Sequence, residues 1–341
     1  MKNMNNNIKN SPASEILKIL LNSKKITITT HVSPDGDAIG SELAMFFYCQ
    51  QKGSRVRIIN YSETPYNLKF LNGIENVCVF DKSHDTDYIK NSDTILFLDL
   101  NNSSRVKEME ESVMSSTATK VVIDHHIEPK DFADNYYIDS DATSTGELVW
   151  KILKSDNNIN LTKEMASALY TAIMTDTGSF RYPNTDSETH QIIAELIKYG
   201  ADPVKIYEEV YNIIPPRAAR IYGEAFSGME IYCDGKLVVL TLSKDTFNKS
   251  GATESDIEGL VEQTMTIKDA KVGVLLTERP NEAEIRISFR SKGELNVREL
   301  ALSLGGGGHF HAAGARISNI SLLDAKKLVI EKTSTLFNIK I

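Results

Sequence analysis

The sequence has little cysteine, no long hydrophobic run and no excess of positive charge. Its 341 residues include three cysteines, Cys49, Cys78 and Cys233, which are far apart and match no metal-binding spacing. So few cysteines predict buried thiols in a reducing compartment. The longest apolar run, Leu43–Cys49, is too short to cross a bilayer, and the Asn-rich first ten residues do not resemble a signal peptide. We therefore expect a cytoplasmic protein without a membrane partner.

The net charge of −8 argues against a protein that coats long nucleic acids. Proteins of that class are normally basic, because they neutralise phosphates with lysine and arginine. If the chain acts on nucleic acid, we expect short pieces, bound where metal ions and a few arginines supply positive charge. The length, with 41% hydrophobic and 25% charged residues, is typical of a globular protein of about two domains.

Residues 1–200 alternate strand-like and helix-like segments. Short runs rich in Ile, Val and Leu lie at Lys25–His31, Arg55–Asn60, Thr94–Leu100 and Lys120–Asp124. Helical patterns lie at Ile39–Gln51, Thr145–Lys154, Lys163–Thr175 and Ser187–Lys198. This alternation predicts an α/β domain with a parallel sheet. Residues 201–227 are polar and helical in pattern, and we interpret them as a connector.

Residues 228–341 show hairpin patterns and predict a smaller α/β domain with a mixed sheet. Strand-like segments lie at Met229–Cys233, Lys236–Leu242, Lys271–Thr277 and Glu284–Arg290. The first two flank Asp234-Gly235, a type I′ hairpin signal. Thr253, with Asp256 three residues later, predicts the N-cap of a helix that continues to about Thr266.

Acidic and histidine residues cluster at the ends of the predicted strands. The candidates are His31, Asp35, Asp37, Asp99, Asp124, His125, His126 and Asp176. Because ligands bind beyond the carboxyl ends of the strands in open α/β sheets, we expect one shared crevice. Each cluster alone has an ordinary alternative, such as a solvated turn, a helix cap or a polar core contact. Their joint occurrence favours a site. Five of the seven histidines, His31, His125, His126, His309 and His311, lie in these clusters or in the glycine-rich segment near the C-terminus.

The number of candidate ligands indicates more than one cation. The set is His31, Asp35, Asp37, Asp99, His125 and Asp176. It exceeds the four ligands of a structural zinc. It suits two divalent cations, roughly 3.5–4 Å apart, that share a bridging carboxylate, as in phosphatases and nucleases.

Five segments resemble one known family in order and context. HVSPDGDAIGS, LFLDL, VIDHH and TDTGSF resemble the motifs of the DHH phosphoesterases. The segment GGGGHFHAAGA resembles the signature of the DHHA1 domain, and the resemblance covers residues 15 to 335. The length is similar to that of the NrnA-type group. The resemblance therefore implies a hydrolase that degrades short RNA (nanoRNA) and linear dinucleotides as an exonuclease, and converts 3′-phosphoadenosine 5′-phosphate (pAp) to AMP.

The resemblance also implies a role for each matching residue. The first cation would be held by His31, Asp35 and Asp99. The second would be held by Asp37, Asp99, His125 and Asp176, with Asp99 bridging and manganese as the usual ion. The catalytic residues would be Asp99, Asp124 and His126. Asp124 would orient the histidines, and His126 would contact the scissile phosphate or act as a general acid.

The second domain would bind the substrate, with the active site in the cleft between the domains. Gly306, Gly307 and Gly308 would offer backbone N–H groups to a phosphate, because no Cβ blocks its approach, and His309 follows them. A flexible linker is the alternative interpretation of the glycine run. Arg290 resembles the family's phosphate-binding arginine. Arg181 is a further candidate, for which a surface role is equally consistent with the sequence.

Several alternatives stay open at this stage. A phosphatase of inorganic polyphosphate or pyrophosphate would use the same metals, and a non-catalytic nucleotide-binding protein would use them only to bind. An exonuclease acting on long single strands is disfavoured by the negative charge. The residues leave undecided the preference between diester substrates and pAp, the polarity of cleavage, and the base and sugar preference. They also leave undecided the exact metal and the oligomeric state, for which a homodimer is one alternative.

Overall fold

The computed structural model describes residues 8–278 and 284–337 of the chain. It divides into two compact units, Met1–Ile213 and Ile214–Ile341. In the part of the chain that is described, no helix is both long enough and apolar enough to cross a bilayer.

The first unit is built on a sheet of six parallel strands, as the sequence predicts. The strands are β1 (Lys25–Thr29), β2 (Arg55–Asn60), β3 (Val77–Val79), β4 (Thr94–Leu98), β5 (Thr119–Asp124) and β6 (Asn135–Ile138). Their order is β3-β2-β1-β4-β5-β6, with every neighbouring pair parallel. The order reverses direction between β1 and β4, and such switch points are where doubly wound sheets bind ligands.

Helices connect and cover these strands. They are α1 (Ala13–Asn22), α2 (Gly36–Gln51), α3 (Lys82–Lys90), α4 (Glu110–Met114), α5 (Thr145–Lys154), α6 (Lys163–Asp176), α7 (Ser187–Lys198) and α8 (Pro203–Tyr207). Short 3₁₀ segments lie at Tyr66–Leu68, Ile74–Asn76 and Ser103–Met109, and a π-helical turn lies at Glu208–Asn212. Helix α2 is buried along most of its length and packs closely on α6, which brings their ends together at the strand switch point.

The central strands are apolar on both faces, because helices cover both sides of the sheet. On β4, Leu96 and Leu98 enter the core cluster that includes α2, α5 and α6. The alternate residues, Ile95 and Phe97, enter a second cluster on the other face. This burial on both faces explains why the strand appears in the sequence as a continuous hydrophobic run rather than an alternating one.

The second unit is built on a mixed sheet, also as predicted. Its strands are β7 (Glu230–Tyr232), β8 (Leu237–Leu242), β9 (Val272–Glu278), β10 (Glu284–Ser291), β11 (Gly307–Gly308) and β12 (Ala312–Ser318). The order is β11-β12-β10-β9-β8-β7, in which β8 and β9 are parallel and the other pairs antiparallel. The β7–β8 turn has φ of 54° at Asp234 and 89° at Gly235, and the Lys236 N–H donates to the Cys233 carbonyl. These are the features of the predicted type I′ turn.

The helices of the second unit differ from the sequence pattern at one place. They are α9 (Pro216–Ser227), α10 (Lys244–Ser250), α11 (Leu260–Gln263), α12 (Val297–Leu302) and α13 (Leu322–Ser334). The capping box of Thr253 and Asp256 is present, but it begins a 3₁₀ turn, Glu254–Ile257. Gly259 then adopts φ of 77°, which ends the helical path. The prediction of one continuous helix from Thr253 to Thr266 was therefore wrong.

The boundary between the units falls within residues 201–227, the segment interpreted as a connector. Helix α8 and the π-helical turn after it belong to the first unit, and α9 belongs to the second. The Asn67 side chain donates to the Val210 carbonyl, which ties the π-helical turn to the first unit.

Candidate metal centre

The carboxyl ends of the central strands and the C-terminus of α6 bring all six predicted ligands together. Their donor atoms, with those of His126, form three groups, and within each group all the donor atoms lie within 4.8 Å of one another. They are His31, Asp35 and Asp99; Asp37, His125 and Asp176; and Asp99, His125 and His126. The first group is the set expected for one cation. The second contains three of the four residues expected for the other cation, and Asp99 lies in two of the groups.

The backbone at Asp99 turns its carboxylate into the centre. Asp99 follows β4 directly and adopts φ of 59°, in the left-handed region that few residues other than glycine enter. Its N–H still donates to the Ile123 carbonyl of the neighbouring strand. The side chain is buried, with Oδ2 3.2 Å from His31 Nε2.

The two histidines that the sequence predicts as ligands share one arrangement. Nδ1 of His31 donates to the Val32 carbonyl at 2.9 Å, and Nδ1 of His125 lies 3.4 Å from the Ala142 carbonyl. In each ring this places the proton on Nδ1 and leaves Nε2 facing carboxylates. A metal-binding histidine is normally oriented by such a contact of its other nitrogen. The rings therefore fit cation coordination through Nε2.

The electrostatics of the centre also suit cations. Burial and the nearby Asp99 raise the pKa of Asp37 well above its usual range, and burial with Asp35 does the same for Asp176. Burial opposes ionisation of Asp99 too, but hydrogen bonding to His31 and the histidine charges lower its pKa. Divalent cations would offset the repulsion between these crowded carboxylates. The Asp and His donor set is the one that divalent transition metals prefer.

His126, which directly follows His125 in the chain, faces a different partner. Nδ1 of His126 donates to Oδ1 of the fully buried Asp124 at 2.7 Å. Burial disfavours the imidazolium, but the bond to Asp124 and the charge of Asp99 raise the pKa of His126 to about 10. The bond to Asp124 therefore favours the protonated form of the ring, which can donate a proton.

The N-terminus of α5 contacts two of the predicted ligands, which the sequence interpretation missed. The N–H groups of Thr145 and Gly146 donate to the two carboxylate oxygens of Asp37, at 2.7 and 2.8 Å. The Thr145 hydroxyl donates to Asp99 Oδ1 at 3.0 Å. The available signal was Ser144 with Glu147 three residues later, a capping-box sequence that places a helix N-terminus there.

Thr145→Val is expected to weaken manganese binding about 10- to 100-fold, because a hydrogen bond that orients a ligand carboxylate is lost while the side-chain volume is kept. Calorimetric titration of the metal-free protein measures this. Thr145→Ser keeps the hydroxyl and is expected to bind within a few-fold of the wild type. Equal affinities in the Val and Ser variants would show that the hydroxyl does not position Asp99.

A buried polar chain fixes the strand ends that carry His31 and Asp99, and it too was missed. Asn60 accepts from the Thr30 N–H at 3.2 Å and donates to Glu42 Oε2 at 2.8 Å. The Thr30 hydroxyl donates to the Leu98 carbonyl at 2.7 Å. Burial raises the pKa of Glu42 to about 8. The chain joins the ends of β1, β2 and β4 immediately before the two ligands.

The predicted substrate-binding glycines are largely engaged within their own unit. The N–H groups of Gly305 and Gly306 donate to carbonyls of α12, and Gly307 and Gly308 pair with β12. A Cβ on Gly306 would lie 2.1 Å from the Gly314 carbonyl oxygen, so glycine serves close packing there. The expectation that the Gly306 N–H is open to a phosphate is corrected by its bond to the Ala301 carbonyl. His309 is exposed, and its N–H donates to the Ala312 carbonyl.

The two predicted arginines have different surroundings. Arg290 on β10 donates through Nε to Glu262 at 2.7 Å, so its guanidinium is paired with a carboxylate. Arg181 is exposed, and its Nε donates to the Gly178 carbonyl at 2.6 Å. Gly178, Ser179 and Phe180 all have φ near 60°, a tight turn that follows Asp176 closely.

Comparisons with known proteins cover both units. Residues 25–173 match the DHH family, N-terminal domain, and residues 234–335 match the DHHA1 domain. The chain is 32% identical to the bifunctional oligoribonuclease and PAP phosphatase NrnA of Thermus thermophilus, over 93% of this chain and 91% of that protein. It is 26% identical to the protein of the same name in Bacillus subtilis, over 89% and 93% of the two chains.

A solved structure is similar over the same extent. It is that of an exopolyphosphatase-related protein from Bacteroides fragilis, with a TM-score of 0.89 and 32% identity. The similarity covers 96% of this chain and 97% of that one. The likeness therefore extends through both units rather than one domain.

Proposed function

Because the chain belongs to the DHH family and carries a DHHA1 domain, we propose that it hydrolyses phosphate esters of short oligoribonucleotides and of pAp. The observation that carries this proposal is the convergence of six Asp and His side chains, in three groups of donor atoms, at the strand switch point. The T. thermophilus relative, named as an oligoribonuclease and PAP phosphatase, supports the substrate class.

We assign the centre to two divalent cations, with manganese as the activating ion. His31, Asp35 and Asp99 would hold one cation. The other would be held by Asp37, Asp99, His125 and Asp176. When bound, such a pair supplies charge that neutralises the phosphate and lowers the pKa of the attacking water. The shared ligand Asp99 is supported by its place in two of the three donor groups.

The protein's own groups then orient the substrate and move a proton. His126 is held at Nδ1 by Asp124, so we assign proton donation to the leaving oxygen to its Nε2. Asp124 keeps the ring oriented and stabilises its cationic form, since it is buried and 2.7 Å away. Thr145 and Gly146 hold the Asp37 carboxylate in place before the substrate arrives.

We propose that residues 1–200 carry the chemistry and residues 228–341 contribute substrate binding. Arg290, Gly307, Gly308 and His309 would contact a substrate phosphate or nucleotide, with Arg181 as a further candidate. For Arg290 this requires the phosphate to replace the Glu262 carboxylate as the partner of the guanidinium. Such an exchange is chemically reasonable, because both anions bind a guanidinium in the same planar, bidentate manner.

The test is a product assay with Mn²⁺ on a 5′-phosphorylated RNA trimer, an RNA 24-mer and pAp. We expect mononucleotides from the trimer, AMP from pAp and little cleavage of the 24-mer, because the net charge of −8 disfavours long RNA. Omission of the metal should abolish both reactions. A protein that cuts neither the trimer nor pAp would contradict the proposal.

A phosphatase of inorganic polyphosphate is the second candidate, favoured by the similarity to the exopolyphosphatase-related protein of B. fragilis. The same cations and His126 would serve that reaction, so the metal centre does not distinguish the two. Pyrophosphate and polyphosphate therefore belong in the same assay. Release of phosphate from them, with pAp and the trimer untouched, would replace the nucleotide assignment and leave the metal assignment in place.

A further inference from the structure

Two arginines of the second unit face each other on neighbouring strands, and neither the motifs nor the comparisons assign them a role. Arg286 on β10 is the direct partner of Arg316 on β12 in the antiparallel register. Directly opposite residues of such a pair project from the same face, with Cβ atoms about 4.5–5.5 Å apart. Both side chains are exposed. The fold therefore holds two cationic groups close together on one face of the sheet.

A carboxylate approaches one arginine of this pair but not the other. Nη1 of Arg286 lies 3.9 Å from Oε2 of Glu254, near the outer limit of an ion pair. Oε1 of Glu284, on the same face of β10, accepts from the Ser318 hydroxyl at 3.2 Å. Within the described residues, no carboxylate forms an ion pair with Arg316. Because like charges directly opposite each other destabilise a sheet, an anion bound between the two guanidinium groups would relieve their repulsion.

The pair lies on the same face of β10 as Arg290, the residue proposed above to contact a substrate phosphate. Arg290 follows Arg286 by four residues, a distance of about 13 Å along a strand. Between them, Ser288 is paired with Gly314. Both residues are small, so no bulky side chain of these two strands rises between the cationic positions. A chain of phosphates can therefore lie along this face, with one phosphate at Arg290 and another at the pair.

The length of this face indicates a substrate with several linked phosphates. The two phosphates of pAp flank a single ribose, so pAp is too short to extend over four strand residues. An oligoribonucleotide carries a phosphate at each linkage, and its chain can continue from Arg290 to the pair. A guanidinium suits a phosphate, because its planar donors match two phosphate oxygens.

We propose that Arg286 and Arg316 together bind a phosphate of the oligoribonucleotide substrate, one linkage or more beyond the phosphate at Arg290. The pair then strengthens the binding of short RNA and contributes nothing to the binding of pAp. This inference rests on the proposed function for the substrate and for the contact at Arg290. The anion-binding pair itself is defined by the strand register and by the charge of its two members.

Two variants and a matched control test this inference. Arg316→Gln removes one charge of the pair, and Arg316→Lys keeps the charge without the planar fork. Arg220→Gln is the control, because Arg220 is an exposed arginine of the same unit that lies on α9 rather than on the sheet. For each manganese-loaded protein, kcat and KM are measured on the 5′-phosphorylated RNA trimer and on pAp at several salt concentrations.

Arg316→Gln is expected to raise KM for the trimer about 10-fold with kcat unchanged, because the lost charge-assisted bond is made equally before and during the reaction. The slope of log kcat/KM against log salt should become shallower by about 0.7, the contribution of one phosphate of a single strand. Arg316→Lys should restore most of that slope, and Arg220→Gln should match the wild type. An unchanged KM for the trimer, or an equal rise in KM for pAp, would overturn the proposal.

Calorimetry separates this inference from the proposed function. If the manganese-loaded wild type hydrolyses neither the trimer nor pAp, the trimer can be titrated into it directly. Binding that weakens in Arg316→Gln, with a shallower salt dependence, would support the pair while the proposed function fails. A wild type that does not bind the trimer would overturn both. If the wild type hydrolyses both substrates and Arg316→Gln acts on the trimer with the same KM, the inference about the pair fails alone. A substitution that weakens the binding of inorganic polyphosphate but not of the trimer would overturn the assignment to RNA.

Discussion

Asp99→Asn is expected to lower kcat/KM on the RNA trimer and on pAp by about 10³-fold or more, because the substitution removes the negative charge shared by the two proposed cation sites. Asp99 contributes to two of the three groups of donor atoms. The amide oxygen can still coordinate, but it is a weaker ligand and cannot balance two dications. Steady-state kinetics at saturating Mn²⁺, together with metal titration, would measure the loss.

Asparagine is a better replacement than alanine because of the backbone at this position. Asp99 has φ of 59°, and asparagine enters the left-handed region several-fold more often than most residues other than glycine. The amide also keeps an oxygen that can accept from the Thr145 hydroxyl. Asp99→Ala would lose that bond and add backbone strain, so its effect on activity would mix misfolding with lost metal binding.

Asp234→Asn provides a matched control. Asp234 has φ of 54°, almost the same backbone conformation, but it is exposed in the β7–β8 turn. It is expected to leave kcat/KM unchanged. An Asp99→Asn protein that turns over the trimer within ten-fold of the wild type, with its circular dichroism unchanged, would remove Asp99 from the metal site and with it the shared-ligand assignment.

The strands that carry the centre could be predicted because each is a buried apolar run that ends in a chemically distinctive residue. The runs before Asp99 and His125 are examples, and their parallel pairing places their carboxyl ends at one edge of the sheet. The helix predicted through Thr266 failed for a local reason. Gly259 can enter a left-handed conformation that interrupts the helix, and nothing in the periodicity of the segment signals this.

The groups that hold the ligands in place were not predictable in the same way. Asn60 and Thr30 meet across 30 residues of chain, and Thr145 meets Asp37 across 108. Such contacts depend on strand order and helix placement, which the residue patterns of a single sequence do not reveal.

Gly40→Ala is expected to destabilise the first unit by about 1–3 kcal/mol, the usual cost of overpacking a core. An added Cβ would lie 2.4 Å from the Ala168 carbonyl oxygen and 2.9 Å from the Ala172 Cβ, so α2 and α6 would have to separate. Neither neighbour is a flexible side-chain end that could move aside. Calorimetric unfolding measures the change, and fluorescence of Trp150, the single tryptophan, follows the first unit.

Gly223→Ala makes the same change inside α9, where a Cβ would meet no atom within 4 Å. There alanine is expected to stabilise by up to about 1 kcal/mol, through its higher helix propensity alone. The two variants should therefore shift stability in opposite directions. The Gly40 variant should also bind manganese more weakly, because α2 carries Asp37 one turn before Gly40 and α6 ends at Asp176. Unchanged manganese affinity in a destabilised Gly40→Ala protein would mean that the helix packing supports the fold without setting the ligand positions.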